Sequence, residues 1–156
     1  MVGASVGWGQ MIPTYYKVAV GTGGDGSSAG SPIYKANLEA ALSDAALSSL
    51  DSVIILLPEG EYSANAAPYS ITKSSLAIIG EGDTSTVTIK SPVDIELTNG
   101  GNVSFQKVHL TAKTSTGRGV VDIKSSKTTV SFSESKITIE GLSLIHISEP
   151  TRRVVI

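Results

Sequence analysis

The residues best suited to chemistry are two aspartates that occupy the same position in a repeated motif. The motif Val93-Asp94-Ile95 recurs as Val121-Asp122-Ile123. If two strands carrying this motif stack in register, their carboxylates lie on the same face about 4.8 Å apart. Carboxylates that close repel each other, which favours a bound cation or a raised pKa. The alternative is a metal-free pair, because Lys124 stacks in register with Glu96 and can offset the charge.

The other candidate groups stand singly. Arg118 is the only arginine before Leu142, and it lies in the turn TSTGRG. A guanidinium group forks onto a carboxylate, so Arg118 is predicted to bind an acidic sugar; the alternative is an ordinary turn residue. His109 alternates with Val108 and Leu110, which predicts an outward-facing surface residue rather than a catalytic one. No catalytic residue is assigned.

Composition excludes several classes of protein. The chain has 156 residues with 12 basic and 14 acidic side chains, and no cysteine. The length suits one domain, and the lack of a basic cluster argues against nucleic acid as a partner. No disulfide framework or thiolate metal site is possible. No run of about 18 apolar residues is present, so no membrane span is expected, and the start does not have the pattern of a signal peptide.

The first third of the chain predicts a strand, a loop and a helix. Residues 15–20 (YYKVAV) form the predicted strand, and the glycine-rich residues 21–31 form the loop. This loop lacks the strand–GxGxxG–helix spacing of a nucleotide site. A helix is predicted over Ser31–Leu47, with Ser31 as N-cap and Pro32 as its first residue. Its apolar face is predicted to pack across the end of a sheet stack, with a partner-binding helix as the alternative. That face comprises Leu38, Ala41, Leu42, Ala45 and Ala46.

From Val53 onward the sequence repeats. Ile78, Phe105 and Phe132 are each 27 residues apart, and Val103-Ser104-Phe105 recurs as Val130-Ser131-Phe132. Turn residues separate short apolar or alternating runs, with no helical periodicity. A period of 20–50 residues with two or three strands in each unit is typical of a β-solenoid with inward apolar columns. The predicted strands are 53–57, 71–72, 76–79, 86–90, 93–97, 103–105, 108–111, 120–123, 129–132 and 137–139.

Two segments carry a resemblance to a known superfamily. An apolar strand ending in PEGEY, followed by ITKSSLAIIGEG and TVTI, resembles the opening turns of right-handed parallel β-helix proteins of the pectate-lyase-like superfamily. KVAVGTGGDG and the alanine-rich helix resemble the capped entrance of the same proteins. The likeness covers Val18 to Gly141. It implies an all-β fold: a right-handed parallel β-helix of few turns with an N-terminal amphipathic capping helix.

The resemblance also implies a class of function. It predicts the N-terminal part of an extracellular or cell-surface protein that binds or degrades polysaccharide, with a non-catalytic adhesin or phage tailspike-type protein as the alternative. Whether the parent protein is an enzyme stays open. Lyases of this superfamily hold calcium and a uronate substrate with stacked acidic residues, so calcium is the cation predicted at Asp94 and Asp122. No other cofactor is expected. Glu59 and Glu61, which flank Gly60 in PEGEY, are interpreted as solvated turn residues.

The end of the chain has a different origin in our interpretation. Leu142 to Arg152 reads LSLIHISEPTR, which is the translation of a transposase-type sequencing adapter without a mismatch. The alternative is an ordinary final strand. We therefore predict an N-terminal extension at 1–17; a strand, loop and capping helix at 18–52; a truncated solenoid at 53–141; and adapter-derived residues at 142–156. Such a fragment is expected to be inactive and prone to self-association through its open strand edges.

Overall fold

The computed structural model describes residues 13–44, 50–63, 69–71, 75–90, 93–97, 101–113, 121–123, 128–140, 145–147 and 153–155. Within these ranges the chain forms fifteen short strands, one short α-helix and one 3-10 turn. The first elements are β1 (Thr14–Val18), β2 (Ile33–Lys35), α1 (Leu38–Leu42), β3 (Ser52–Leu57), β4 (Gly60–Tyr62), β5 (Tyr69–Ile71) and β6 (Ser75–Gly80). After the 3-10 turn (Thr84–Thr86) come β7 (Val87–Ile89), β8 (Val93–Leu97), β9 (Gly101–Gln106), β10 (His109–Lys113), β11 (Val121–Ile123), β12 (Thr128–Ser133), β13 (Lys136–Glu140), β14 (Ile145–Ile147) and β15 (Arg153–Val155).

The described strands make three parallel sheets. The first sheet has the order β15-β12-β9-β6-β3-β1-β2, the second β13-β10-β7-β4, and the third β14-β11-β8-β5. From β3 onward the chain passes through the first, second and third sheets in turn, and then returns to the first. We call one such passage a circuit. The protein is therefore β-rich and built from parallel sheets, as predicted.

The strand register follows the sequence repeat. Asp94 pairs with Asp122 between β8 and β11. Phe105 pairs with Ile78 on one side and with Phe132 on the other. The predicted alignment of these motifs is thus confirmed at the level of the backbone. Hydrogen bonding of each strand to its equivalent in the next circuit fixes this register, because a one-residue slip would turn every apolar side chain outward.

The core is an apolar column that runs through successive circuits. Tyr16, Ile55, Ile78 and Phe105 pair in register across the first sheet, and all four are fully buried. The rings of Phe105 and Phe132 stack with their centroids 5.3 Å apart. Leu110 and Ile89 on the second sheet are also fully buried against this column. Burial of these large side chains supplies most of the free energy that holds the circuits together.

The helix begins later than predicted. Ser31 and Pro32 do not cap it, because the next three residues form β2, which pairs in parallel with β1. Ile33 and Tyr34 favour a strand, and β1 supplies the partner that the local sequence cannot reveal. The N-cap is Asn37, whose side-chain oxygen accepts a hydrogen bond from the amide of Ala40 at 2.7 Å.

The predicted apolar face of the helix is partly confirmed. Leu38, Ala41 and Leu42 are buried against the core, while Ala45 and Ala46 lie outside the described residues. The loop before the helix also has a packing reason for its glycines. A Cβ atom at Gly24 would lie 1.5 Å from the carbonyl oxygen of Pro32, so the two backbone segments approach as only glycine allows.

Two boundaries of the strands differ from the prediction. β1 begins at Thr14, so residues 14–17, predicted as part of an extension, belong to the first sheet beside β3. The segment Gly60–Tyr62 was interpreted as part of a turn, but it forms β4 and pairs with β7. A three-residue strand that contains glycine and glutamate has no apolar alternation to announce it.

Candidate functional surface on the second sheet

The outward side of the second sheet brings titratable and hydroxyl side chains together. Within β10 the fully buried Leu110 follows His109, and Val108 before it is also fully buried. His109 therefore points away from the core and is partly exposed. Its register partners are Thr88 on β7 and Lys136 on β13, and Thr88 in turn pairs with Glu61 on β4. We call the row Glu61, Thr88, His109 and Lys136 the polar row.

One end of the polar row is internally neutralised. The Nζ atom of Lys90 lies 2.7 Å from a carboxylate oxygen of Glu61, and both side chains are more than half exposed. An exposed pair of this kind adds little stability. It does, however, satisfy the charge of Glu61 within the row, so this carboxylate is engaged by its own neighbour.

The other end of the polar row carries a lysine without an acidic partner. Among the lysines whose side chains are described, four lie within 4.0 Å of a carboxylate, and Lys136 does not. The four pairs are Lys17–Glu81, Lys35–Asp44, Lys90–Glu61 and Lys107–Glu134. Lys136 is exposed and stands beside His109 on the adjacent strand. In a chain with a formal net charge of −2, this is an unusual place for an unneutralised cation.

Burial and the charge of Lys136 both lower the pKa of His109 below its usual value of 6.5. The imidazolium form is disfavoured because it loses hydration and meets a like charge. His109 is therefore mainly neutral at pH 7, with one ring nitrogen able to donate and the other able to accept a hydrogen bond. The sequence prediction of an outward-facing His109 agrees with the alternation of burial along β10.

The two aspartates proposed for calcium are adjacent in the third sheet. Asp94 on β8 pairs with Asp122 on β11, and Asp122 pairs with His146 on β14. Their side chains lie outside the described residues, so the cation site stays a prediction. No group of three or more metal-ligating side chains occurs in the part of the chain that the structure describes. Arg118 and Lys124 also lie outside that part.

A second polar cluster anchors the helix to the first sheet, and sequence reasoning missed it. The hydroxyl of the fully buried Tyr16 donates to a carboxylate oxygen of Asp44 at 3.1 Å. The Nζ atom of Lys35 lies 3.0 Å from the same oxygen. Burial, with the charge and the hydrogen bond of Asp44, raises the pKa of Tyr16 to about 12. The cluster joins β1, β2 and the residue that follows the helix, which indicates a structural role.

Replacing Tyr16 with phenylalanine tests this anchor. We expect Tyr16→Phe to lower the free energy of unfolding by about 1 kcal/mol at pH 7, because one partly buried hydrogen bond is lost. The folded pKa of about 12 exceeds the model value of 10.0. The stabilisation is therefore fully present below pH 10 and is lost as the pH rises towards 12. Urea titrations across this range should show a steeper alkaline decline for the parent chain than for the variant. Identical declines would contradict the anchor.

A salt bridge in the first sheet shields an outward-facing leucine. β3 lies between β1 and β6, and Lys17 on β1 is the register partner of Leu56 on β3. The Nζ atom of Lys17 reaches Glu81, which follows β6, at 3.1 Å. The lysine stem therefore crosses β3 above Leu56, which is only 6% exposed. The contact is one of packing as much as of charge.

Comparison with known proteins identifies no relative of this chain. No protein-family model, no curated protein and no solved structure matches it. Among the described residues no helix has the length and apolar character needed to cross a membrane.

Proposed function

We propose that the chain is part of a right-handed parallel β-helix protein, located outside the cell or at its surface, that binds polysaccharide. The observation that carries this proposal is the repeated passage of the chain through three parallel sheets, in register with a repeat of about 27 residues. The resemblance of PEGEY and ITKSSLAIIGEG to the pectate-lyase-like superfamily supports it. Serine, threonine and asparagine on outward strand positions suit hydroxyl-rich partners, since they can donate and accept hydrogen bonds.

Affinity electrophoresis of the purified chain tests the binding function. Native gels would contain polygalacturonate, xylan, dextran or no polymer, with an unrelated acidic protein of similar size as the control. We expect at least one polymer to retard the chain but not the control. Equal migration in every gel would contradict carbohydrate binding. Release of reducing ends from the retarding polymer would show an enzyme, whereas binding without release favours the adhesin or tailspike-type function.

A calcium titration tests the predicted cation site at Asp94 and Asp122. Their adjacent register brings two acidic residues to neighbouring strands, which is the arrangement that supports the prediction. We expect calcium to raise the unfolding temperature of the parent chain, because a ligand that binds only the folded state stabilises it. The variant Asp122→Asn should lose this increase. An unfolding temperature that calcium leaves unchanged would remove the site.

We further propose that residues 142–156 derive from a sequencing adapter. The match of LSLIHISEPTR supports this, and the pairing of β14 and β15 with the preceding circuit is compatible with it. The segment LSLIHIS alternates as a strand does, so it fits the sheet whatever its origin. Sequencing the source DNA across codon 141 with a library that uses no transposase adapter decides the question. Genomic DNA that encodes LSLIHISEPTR in frame would contradict the proposal.

A further inference from the structure

We propose that Lys136 and His109 form an oxyanion-binding site on the outward side of the second sheet, with the hydroxyl of Thr88 beside them. The three residues occupy neighbouring strands in direct register. Neighbouring strands are about 4.8 Å apart, so the ammonium and imidazole groups can approach two oxygens of one sulfate or carboxylate group. This site is distinct from the aspartate pair, which lies on the third sheet.

The charges around the site favour an anion from outside the polar row. Glu61 lies at the opposite end, two strands from His109, and is held by Lys90. In the turn before β13, Glu134 lies 3.9 Å from Lys107 and so faces another cation. Lys136 is the described lysine that lacks such a partner, and it is exposed. An oxyanion would supply the charge that the neighbouring carboxylates supply to the other four lysines.

The site is expected to bind more tightly as the pH falls. Protonation of His109 places a second cation next to Lys136, which is unfavourable in the unliganded protein. A bound oxyanion interacts favourably with both cations and so offsets their repulsion. By linkage, an anion that prefers the protonated form raises the pKa of His109, and protonation raises the affinity for the anion by the same factor. The charged and titratable groups on the flanking strands with described side chains are Lys136, Lys90 and Glu61.

Proton NMR of the imidazole ring gives a direct readout. His146→Gln would leave His109 as the sole histidine of the full chain. The ring shift would be followed between about pH 5 and 8, where an imidazole titrates, in sodium chloride and in sodium sulfate of equal ionic strength. Sulfate stays fully ionised across this range. We expect it to raise the pKa of His109 by about half a unit, which corresponds to about threefold tighter binding to the protonated form.

Two lysine variants, both made in the His146→Gln chain, separate the site from a general salt effect. Lys136→Gln should raise the pKa of His109 in chloride, because the like charge is gone, and should remove most of the sulfate increment. Lys107→Gln alters a lysine that already has a carboxylate partner, and should behave as the parent chain does. Dextran sulfate acting at a lower sulfate concentration than the free ion would assign the site to a polymer, and equal potency would assign it to a free oxyanion. A pKa that sulfate does not change, or a full increment in Lys136→Gln, would overturn the proposal.

Discussion

Phe105→Ala should lower the free energy of unfolding by about 3–5 kcal/mol, which is the usual cost of removing a large aromatic side chain from a packed core. Phe105 is fully buried and stacks on Phe132 at a centroid distance of 5.3 Å. Its other register neighbour is Ile78, so the substitution opens a cavity between two circuits. Urea unfolding followed by circular dichroism would measure the loss, and Phe105→Leu should give a smaller one.

The matched control for this substitution is its neighbour in β9. Ser104 pairs with Ala77 and Ser131 on the outward side of the same sheet, and it is partly exposed. Ser104→Ala should change the free energy of unfolding by no more than about 0.5 kcal/mol. Equal losses for Phe105→Ala and Ser104→Ala would show that the Phe105 column does not form the interior.

Gly80→Ala should destabilise the chain by about 3 kcal/mol or more, because overpacking here meets backbone atoms that cannot move aside. An added Cβ atom would lie 2.1 Å from the carbonyl oxygen of Lys107, in the next circuit. The amide of Lys107 is itself hydrogen-bonded to the carbonyl of Ser133 one circuit further on. Relief of the contact would therefore separate hydrogen-bonded circuits. Thermal and urea unfolding of the purified variant would measure the effect.

Gly30→Ala provides the comparison for a glycine that has room. The nearest atom to its added Cβ is the hydroxyl oxygen of Ser28 at 3.8 Å, an ordinary contact distance. We expect a change within about 0.5 kcal/mol, with a small stabilisation possible from a less flexible unfolded chain. If Gly30→Ala and Gly80→Ala were equally destabilising, close packing between circuits would not explain the need for Gly80.

The repeat was predictable because stacked strands impose the same demand on each circuit. An inward position must be apolar every time the chain returns, so Ile78, Phe105 and Phe132 recur at a constant interval. The start of the helix was not predictable from the same sequence. Ser31-Pro32 has the composition of a helix start, and only pairing with β1 converts the following residues into β2.

The candidate surface illustrates the same division. The interval that aligns Phe105 with Phe132 also aligns His109 with Lys136, so this juxtaposition could have been found from the sequence. The lack of an acidic partner for Lys136 could not, because it depends on which carboxylates the other lysines reach. The cluster of Tyr16 and Asp44 joins residues 28 positions apart that share no repeat. No pattern in the sequence announces it.

The turns between the first and second sheets carry a local strain that also repeats. Lys107 and Glu134 have φ angles of 56° and 50°, in the left-handed region that most side chains avoid. They stand 27 residues apart, at the same position of successive circuits, and the register places Gly80 one circuit earlier. Hydrogen bonds from adjoining circuits, including that from the Lys107 amide to Ser133, hold this conformation.

The constant register sets the size of the insertions and deletions that the gene can accept. Loss of the 27 codons for residues 79–105 would join Ile78 directly to Gln106, the residue that follows its register partner Phe105. The shortened chain would keep every later strand on its own sheet. Loss of a single codon inside β9 would instead turn the inward side chains outward. Whole circuits are therefore the unit by which recombination between repeats could lengthen or shorten this protein.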